Sequence, residues 1–305
     1  MNANQKLRVE MTSTAFRGKA GLKNLEKCRE AAENYGWEFG VQLHNSSEPG
    51  EIETLAAAGV PLSAHGPLNS PFNWNLAAES AEPTFEGIEA NVKLFRKLKI
   101  KSCVFHGFYM TDRPVPAFGG GRSYDECMKT VFRPELAMGP RERLNGRYTL
   151  GAEFRRRRLR VRERLAELRR KYRSFLFCIE NDFPAYGASN MLAVDAALLD
   201  HPLCLDTGHL WMTARLFELD FHLEAAAFLK TGRVRMVHLH ASKYTREGYP
   251  LEEWGDGHLP LDTPGEMDLP RFVGACREAG VDYYVLEVVK GSAADLRLLK
   301  RWLEG

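Results

Sequence analysis

The chain has 305 residues, of which 44% are hydrophobic and 27% charged, with a formal net charge of +2. That composition can bury a large core and excludes disorder of the chain as a whole. The small net charge neither demands nor excludes a nucleic-acid partner, because a local patch can act alone. No apolar run approaches the roughly 20 residues of a membrane helix, so no membrane partner is expected. Met1 to Lys6 carries no signal-peptide apolar core. The cysteines Cys28, Cys103, Cys127, Cys178, Cys204 and Cys276 include no CxxC pair. Reduced thiols and a cytoplasmic location are therefore expected.

Eight short apolar runs, separated by amphipathic stretches, read as strands. They are Leu7–Met11, Trp37–Leu43, Val60–His65, Ile100–His106, Ser174–Glu180, Leu203–Asp206, Val234–His240 and Tyr283–Val289. Their enrichment in β-branched and aromatic residues suits strands buried on both faces. Between them, apolar residues recur at helical spacing. One stripe is Leu22, Leu25, Cys28, Ala32 and Tyr35; a second is Phe85, Ile88, Val92 and Phe95; a third is Phe154, Val161, Leu165, Leu168 and Tyr172. Eight β-then-α units in a chain of this length predict an α/β fold. It is a single-domain (β/α)8 TIM barrel over residues 1–305, with a doubly wound open sheet as the weaker alternative.

Residues 108–150 break the rhythm with Pro114, Pro116, Gly119-Gly120-Gly121, Pro134, Gly139, Pro140 and Gly146. A long insertion after the fourth strand is expected here; a lid over the barrel mouth is preferred to a mobile surface excursion because it leaves from a strand end that carries a histidine. The basic run from Arg155 to Arg162 reads as a solvated helix face with Glu163 and Glu167 as partners. Lys243, Arg246 and Lys290, nearer the strand ends, are better candidates for phosphate contacts.

Active sites of such barrels form where the strands end. From the third strand onward, the ends carry His65, His106, Glu180, Asp206, His238 and Glu287, and Asp256-Gly257-His258 follows the seventh. Six buried polar groups around one ring would be costly unless a ligand satisfied them. A divalent cation does so, and mixed imidazole and carboxylate donors suit Zn²⁺, Mn²⁺, Fe²⁺ or Co²⁺. Cys103, Cys178 and Cys204 read as small core residues.

These residues resemble the xylose-isomerase-like TIM barrels, which include endonuclease IV and sugar isomerases and epimerases. The motif order is most similar to endonuclease IV: His65-Gly66-Pro67 with Asn75-Leu76, Asp206-Thr207-Gly208-His209, His238-Leu239 and Asp256-Gly257-His258. The resemblance implies up to three ions, most simply zinc. His65, His106 and Glu180 would hold one. Glu180 would bridge to a second with Asp206, His238 and Glu287. His209, Asp256 and His258 would hold the third. His240 shares a strand face with His238 and could replace it as the ligand; His238 is preferred because it precedes Leu239 as in the family motif, which leaves His240 as the spare imidazole and a candidate substrate contact. The chain departs from the family in having Leu68 where an aromatic follows the Pro, four extra residues before Asn75, and Gly208 where the family has Cys.

Two activities share this site. The first is phosphoester hydrolysis by a metal-activated water, as in an AP endonuclease. The second is isomerisation or epimerisation of a sugar or sugar phosphate, with Glu180 and Glu287 as catalytic proton carriers. The nine-donor set favours the first. Phe72, Trp74, His240 and Lys243 are the expected substrate contacts, Phe72 and Trp74 by stacking on a flipped base or by walling a small pocket. DNA, a small phosphoester or a small sugar are the partners implied. A lid suits the small substrates better than duplex DNA.

Overall fold

The computed structural model describes residues 6–119, 122–137, 139, 151–182, 192–245 and 256–305. Eight parallel strands close into a barrel in sequence order. They are β1 (Arg8–Thr12), β2 (Glu38–Leu43), β3 (Leu62–His65), β4 (Ser102–Phe105), β5 (Leu176–Glu180), β6 (Leu203–Asp206), β7 (Val234–Leu239) and β8 (Tyr283–Leu286). The barrel is shut by β8 pairing with β1, Arg8 opposite Tyr283 and Met11 opposite Leu286. The open-sheet alternative is thereby excluded, and every expected strand run contains or overlaps an observed one.

Around the strands lie α1 (Gly18–Asn34), α2 (Pro49–Ala57), α3 (Glu82–Lys97), α4 (Tyr124–Lys129) and α5 (Ala152–Lys171). They continue with α6 (Ala193–Leu199), α7 (Thr207–Phe217), α8 (Phe221–Lys230), α9 (Leu269–Glu278) and α10 (Ala293–Glu304). Leu25, Cys28 and Ala32 of α1, and Ile88, Val92 and Phe95 of α3, are buried against the sheet as their spacing requires. Alternation along each strand sends one set of side chains outward to the helices and the other into the barrel. Val104, Cys178, Cys204, Met236, Tyr283 and Val285 form the inner cluster. Continuing the same parity upward from this layer reaches His106, Glu180, Asp206, His238 and Glu287. The fold thus aims these polar groups at the barrel axis.

The described part of the 108–150 insertion is packed and partly regular. It holds α4 and a 3-10 turn at Pro134–Leu136, and it buries Val115, Ala117, Cys127, Met128 and Val131. Gly120, Gly121, Pro140 and Gly146 lie outside the described residues.

The basic run on α5 is not simply a solvated face. Phe154, Arg157 and Val161 fall on one side of the helix by their spacing, so Arg157 is carried into the buried face. There it forms two 2.8 Å contacts with Asp112, one with Glu153, and donates to the carbonyls of Ala77 and Thr111. Arg164 likewise donates to the carbonyls of Leu76, Ala78 and Glu79. These arginines pin the loops after β3 and β4 to the outer helix.

Candidate metal centre

All nine residues expected as ligands meet at the C-terminal end of the barrel. Glu180, at the end of β5, is fully buried and addresses two imidazole sets with its two oxygens. Oε2 lies 3.1 Å from His65 Nε2 and 3.6 Å from His106 Nδ1. Oε1 lies 2.6 Å from His238 Nδ1, which is itself 3.0 Å from Glu287 Oε2 and 3.8 Å from Asp206 Oδ2. The third set is joined by Asp256, whose Oδ2 is 3.1 Å from His258 Nε2 and 3.5 Å from His209 Nε2.

His65 shares a hydrogen bond with Glu180, His240 with Asp206 and His258 with Asp256, but at His238 and His106 the orientation favours a shared ligand over mutual hydrogen bonding. Both ring nitrogens of His238, and Nδ1 of His106, are buried without an aligned hydrogen bond, despite short distances to carboxylates. Lone pairs that converge on a point, rather than N–H groups aimed at oxygens, are what a cation requires. Donor triples that can share an ion include His65–His106–Glu180, His65–His238–Glu287, His106–Asp182–His209 and His240–His258–Glu287.

Outer contacts fix the ligand orientations. His209 Nδ1 donates to the carbonyl of Asn181 (2.9 Å), which leaves Nε2 for the site. His258 Nδ1 donates to the carbonyl of Glu287 (2.9 Å) with the same consequence. Asp206 caps α7 by accepting from the His209 backbone N–H at 2.7 Å. Such second contacts set tautomer and ring direction.

The charges are strongly coupled. Burial alone would raise the Glu180 carboxyl, but the imidazoles of His238 and His106 hold it well below the usual range. Glu287 is held down in the same way by His238 and His258. Burial would neutralise His258, yet Asp256 and Glu287 push it up to about 10. Burial opposes the charge on His209 too, and Asp206 keeps it well above the ordinary imidazole value. Without a cation, this cluster stays paired only by retaining protons on its imidazoles.

A cavity of about 330 Å³ opens onto the centre. Its floor includes His65, His106, His209, Asp256, His258 and Glu287; its walls include Thr12, Thr14, Arg17, His44, Asn45 and Phe118. Glu180, Asp206 and His238 lie beneath this surface. Phe118, from the insertion, meets His44 edge-on with ring centroids 5.4 Å apart. Burial drives His44 down to about 3, so it enters the wall as a neutral imidazole.

The expected substrate contacts are scattered. Trp74 is 2% exposed and packs edge-on against Phe105, in a slot opened by Gly66 and Gly87. It is a core residue, since burial of an indole in a fitted slot outweighs exposure at a rim. Phe72 is 47% exposed, bridges to Pro116, and does not line the cavity. Lys243 and Lys290 are exposed and also outside the lining. Arg246 lies outside the described residues. His240 is buried beside the centre: its Nε2 is 3.0 Å from Asp206 Oδ2, and its Nδ1 accepts from the His258 backbone N–H at 3.1 Å. Its ring stacks on His258 at 4.4 Å. A Cβ at position 208 would overlap this ring and come within 2.5 Å of the Asp256 carbonyl oxygen. That explains why glycine follows Asp206-Thr207 here.

Sequence reasoning missed Thr12, His44, Arg17, Phe118 and Asp182. Thr12 and His44 obey the strand-end rule at the first two strands, which it had left out. Arg17 and Phe118 come from loops and had no periodic signal.

No protein-family model matches the sequence, and no curated protein matches it. Solved structures do. A D-tagatose 3-epimerase-like protein superposes with a TM-score of 0.57 at 14% identity, covering 97% of each chain. The apo form of 3-keto-D-glucoside 4-epimerase, YcjR, from E. coli gives 0.57 at 15%, covering 97% of this chain and 100% of that one. Endonuclease IV from Thermus thermophilus gives 0.50 at 19%, covering 98% and 99%. The likeness is one of fold: the chain shares the (β/α)8 barrel of these epimerases and of endonuclease IV.

Proposed function

We propose that this chain is a multinuclear metal-dependent hydrolase of a small phosphoester. The observation that carries the reading is the setting of Glu180. Each of its oxygens faces a different set of imidazoles, and neither lies on the cavity surface. That is the placement of a bridging ligand, not of a carboxylate that must reach a substrate proton. His65, His106 and Glu180 would hold one ion, and Glu180, Asp206, His238 and Glu287 a second. His209, Asp256 and His258 would hold a third. Bound divalent ions would supply charge for phosphate oxygens and lower the pKa of a water nucleophile.

The chain's own residues do the positioning. Arg17 is the single Lys or Arg among the described lining residues and stands where a phosphate would enter. Its guanidinium lies 3.1 Å from Glu51 and donates to Ser46 Oγ at 3.2 Å, which holds it across the mouth. Thr12, Thr14 and Asn45 offer hydrogen bonds to hydroxyls, and Phe118 adds an apolar wall from the insertion. A cavity of this size suits a substrate of monosaccharide scale rather than duplex DNA. Among the described residues, no helix is long and apolar enough to cross a membrane.

The size of the cavity also favours a second reading, isomerisation or epimerisation of a sugar. Only Glu287 of the two expected proton carriers lines the cavity, so that reading needs Glu180 to be uncovered by the substrate. Protein purified without chelator should be assayed on aryl phosphomonoesters, phosphodiesters and free ketoses, with metal content measured in parallel. The hydrolase reading expects two or more ions per chain, with release of the aryl alcohol from a monoester or a diester. One ion per chain with ketose epimerisation would replace it with the second reading.

A further inference from the structure

Asp182 lies two residues beyond Glu180 and is 1% exposed. It is not among the nine ligands implied by the family motifs. We infer that Asp182 is a further metal ligand, closing the coordination of the ion held by His65, His106 and Glu180; this rests on the multinuclear reading above.

The argument is geometric. Asp182 Oδ2 is 3.0 Å from His106 Nδ1. That same nitrogen is 3.6 Å from Glu180 Oε2, which is 3.1 Å from His65 Nε2. Donors around a tetrahedral zinc with bonds near 2.0–2.1 Å stand about 3.3 Å apart. The Asp182–His106 and His106–Glu180 separations, 3.0 and 3.6 Å, lie on either side of that edge length. An ordinary hydrogen bond between His106 and Asp182 would show the ring N–H aligned on the oxygen, and His106 Nδ1 makes no aligned hydrogen bond. Asp182 also falls with His106 and His209 in a triple able to share one ion, so it stands between the first and third donor sets.

The consequence is a division of labour. Four protein donors close a tetrahedral ion, whereas three leave a position open. The ion at His65, His106, Glu180 and Asp182 would then be the structural anchor. Water and substrate would be taken up at the three-donor set of His209, Asp256 and His258, all of which line the cavity.

The test is metal content and the visible spectrum of the Co²⁺-loaded protein, for wild type, Asp182→Asn, Asp182→Ala and Glu180→Gln. Circular dichroism checks that each variant is folded. Both Asp182 variants should hold one tightly bound ion fewer than wild type and lose intensity in the tetrahedral Co²⁺ bands. If they keep the full complement and an unchanged spectrum while Glu180→Gln loses metal, the Asp182 assignment is overturned and the multinuclear reading stands. If Glu180→Gln also keeps every ion, both fail.

Discussion

The two ends of the barrel bury charge in different ways. At the N-terminal end, Glu10 is fully buried and accepts from Arg8 Nε at 3.0 Å, from Arg8 Nη2 at 2.5 Å, and from Ser63 Oγ. Tyr283 and Ser102 share a hydrogen bond of 3.1 Å beside them, and the Arg8 guanidinium lies over the Tyr283 ring. The donors named there point at acceptors. At the C-terminal end, imidazoles and carboxylates stand equally close, yet the nitrogens of His238 and Nδ1 of His106 have no aligned partner. A polar network complete by itself stabilises a fold; one that closes only around a guest marks a site.

The sharpest break in this comparison is Glu180→Gln against Glu10→Gln. Glu180→Gln should cut activity by roughly 100-fold or more and lower metal content. Activity near wild type would remove Glu180 from the centre. Next in size is His258→Ala. It should release about one ion per chain and slow turnover, as expected if His258 and Asp256 are ligands. Full metal content with only a raised KM would make His258 a substrate contact.

Glu10→Gln should do the reverse. It should cost on the order of 2 kcal/mol by chemical denaturation, below the 3–5 kcal/mol of a fully buried pair because Arg8 reaches solvent. Metal content should not change, and a loss of metal would show that the two ends are coupled.

An effect of similar size, seen only in acid, concerns His201, just before β6, which is fully buried. Burial drives its pKa down to about 3. The imidazoles of the centre are surrounded by carboxylates; the charged neighbours of His201 are Arg169 and Arg233. In the unfolded chain it takes up a proton near pH 6.5, while the folded protein does not until about 3. Stability should therefore be intact above about pH 6.5 and fall as the pH drops below it, by about 2 kcal/mol at about pH 5. His201→Leu should flatten that part of the curve relative to wild type. An unchanged acid slope would show that the proton uptake lies elsewhere.

Much of the fold is legible in the sequence because strand and helix periods are strong, local signals. Strands β4, β6 and β7 follow from apolar runs, and the terminal His106, Asp206 and His238 reach the site by pleat parity alone. The place of Trp74 is not legible, because aromatic character says nothing about which side of a loop faces the core. The slot that takes it depends on Gly66 and Gly87, one in the same loop and one a turn into α3. Arg157 looks solvated because its charge masks its position on the Phe154–Val161 face. Asp182 is visible in the sequence, but its meaning depends on His106 from the neighbouring strand. Strand-end polarity identifies the ring of donors; cross-strand distances decide how they are shared.

The most direct test of the multinuclear centre is anomalous scattering at the metal absorption edge, from crystals grown without chelator. Separate peaks should appear at His65–His106–Glu180, at Glu180–Asp206–His238–Glu287, and at His209–Asp256–His258. A single peak at one of these sets, or none, would contradict it.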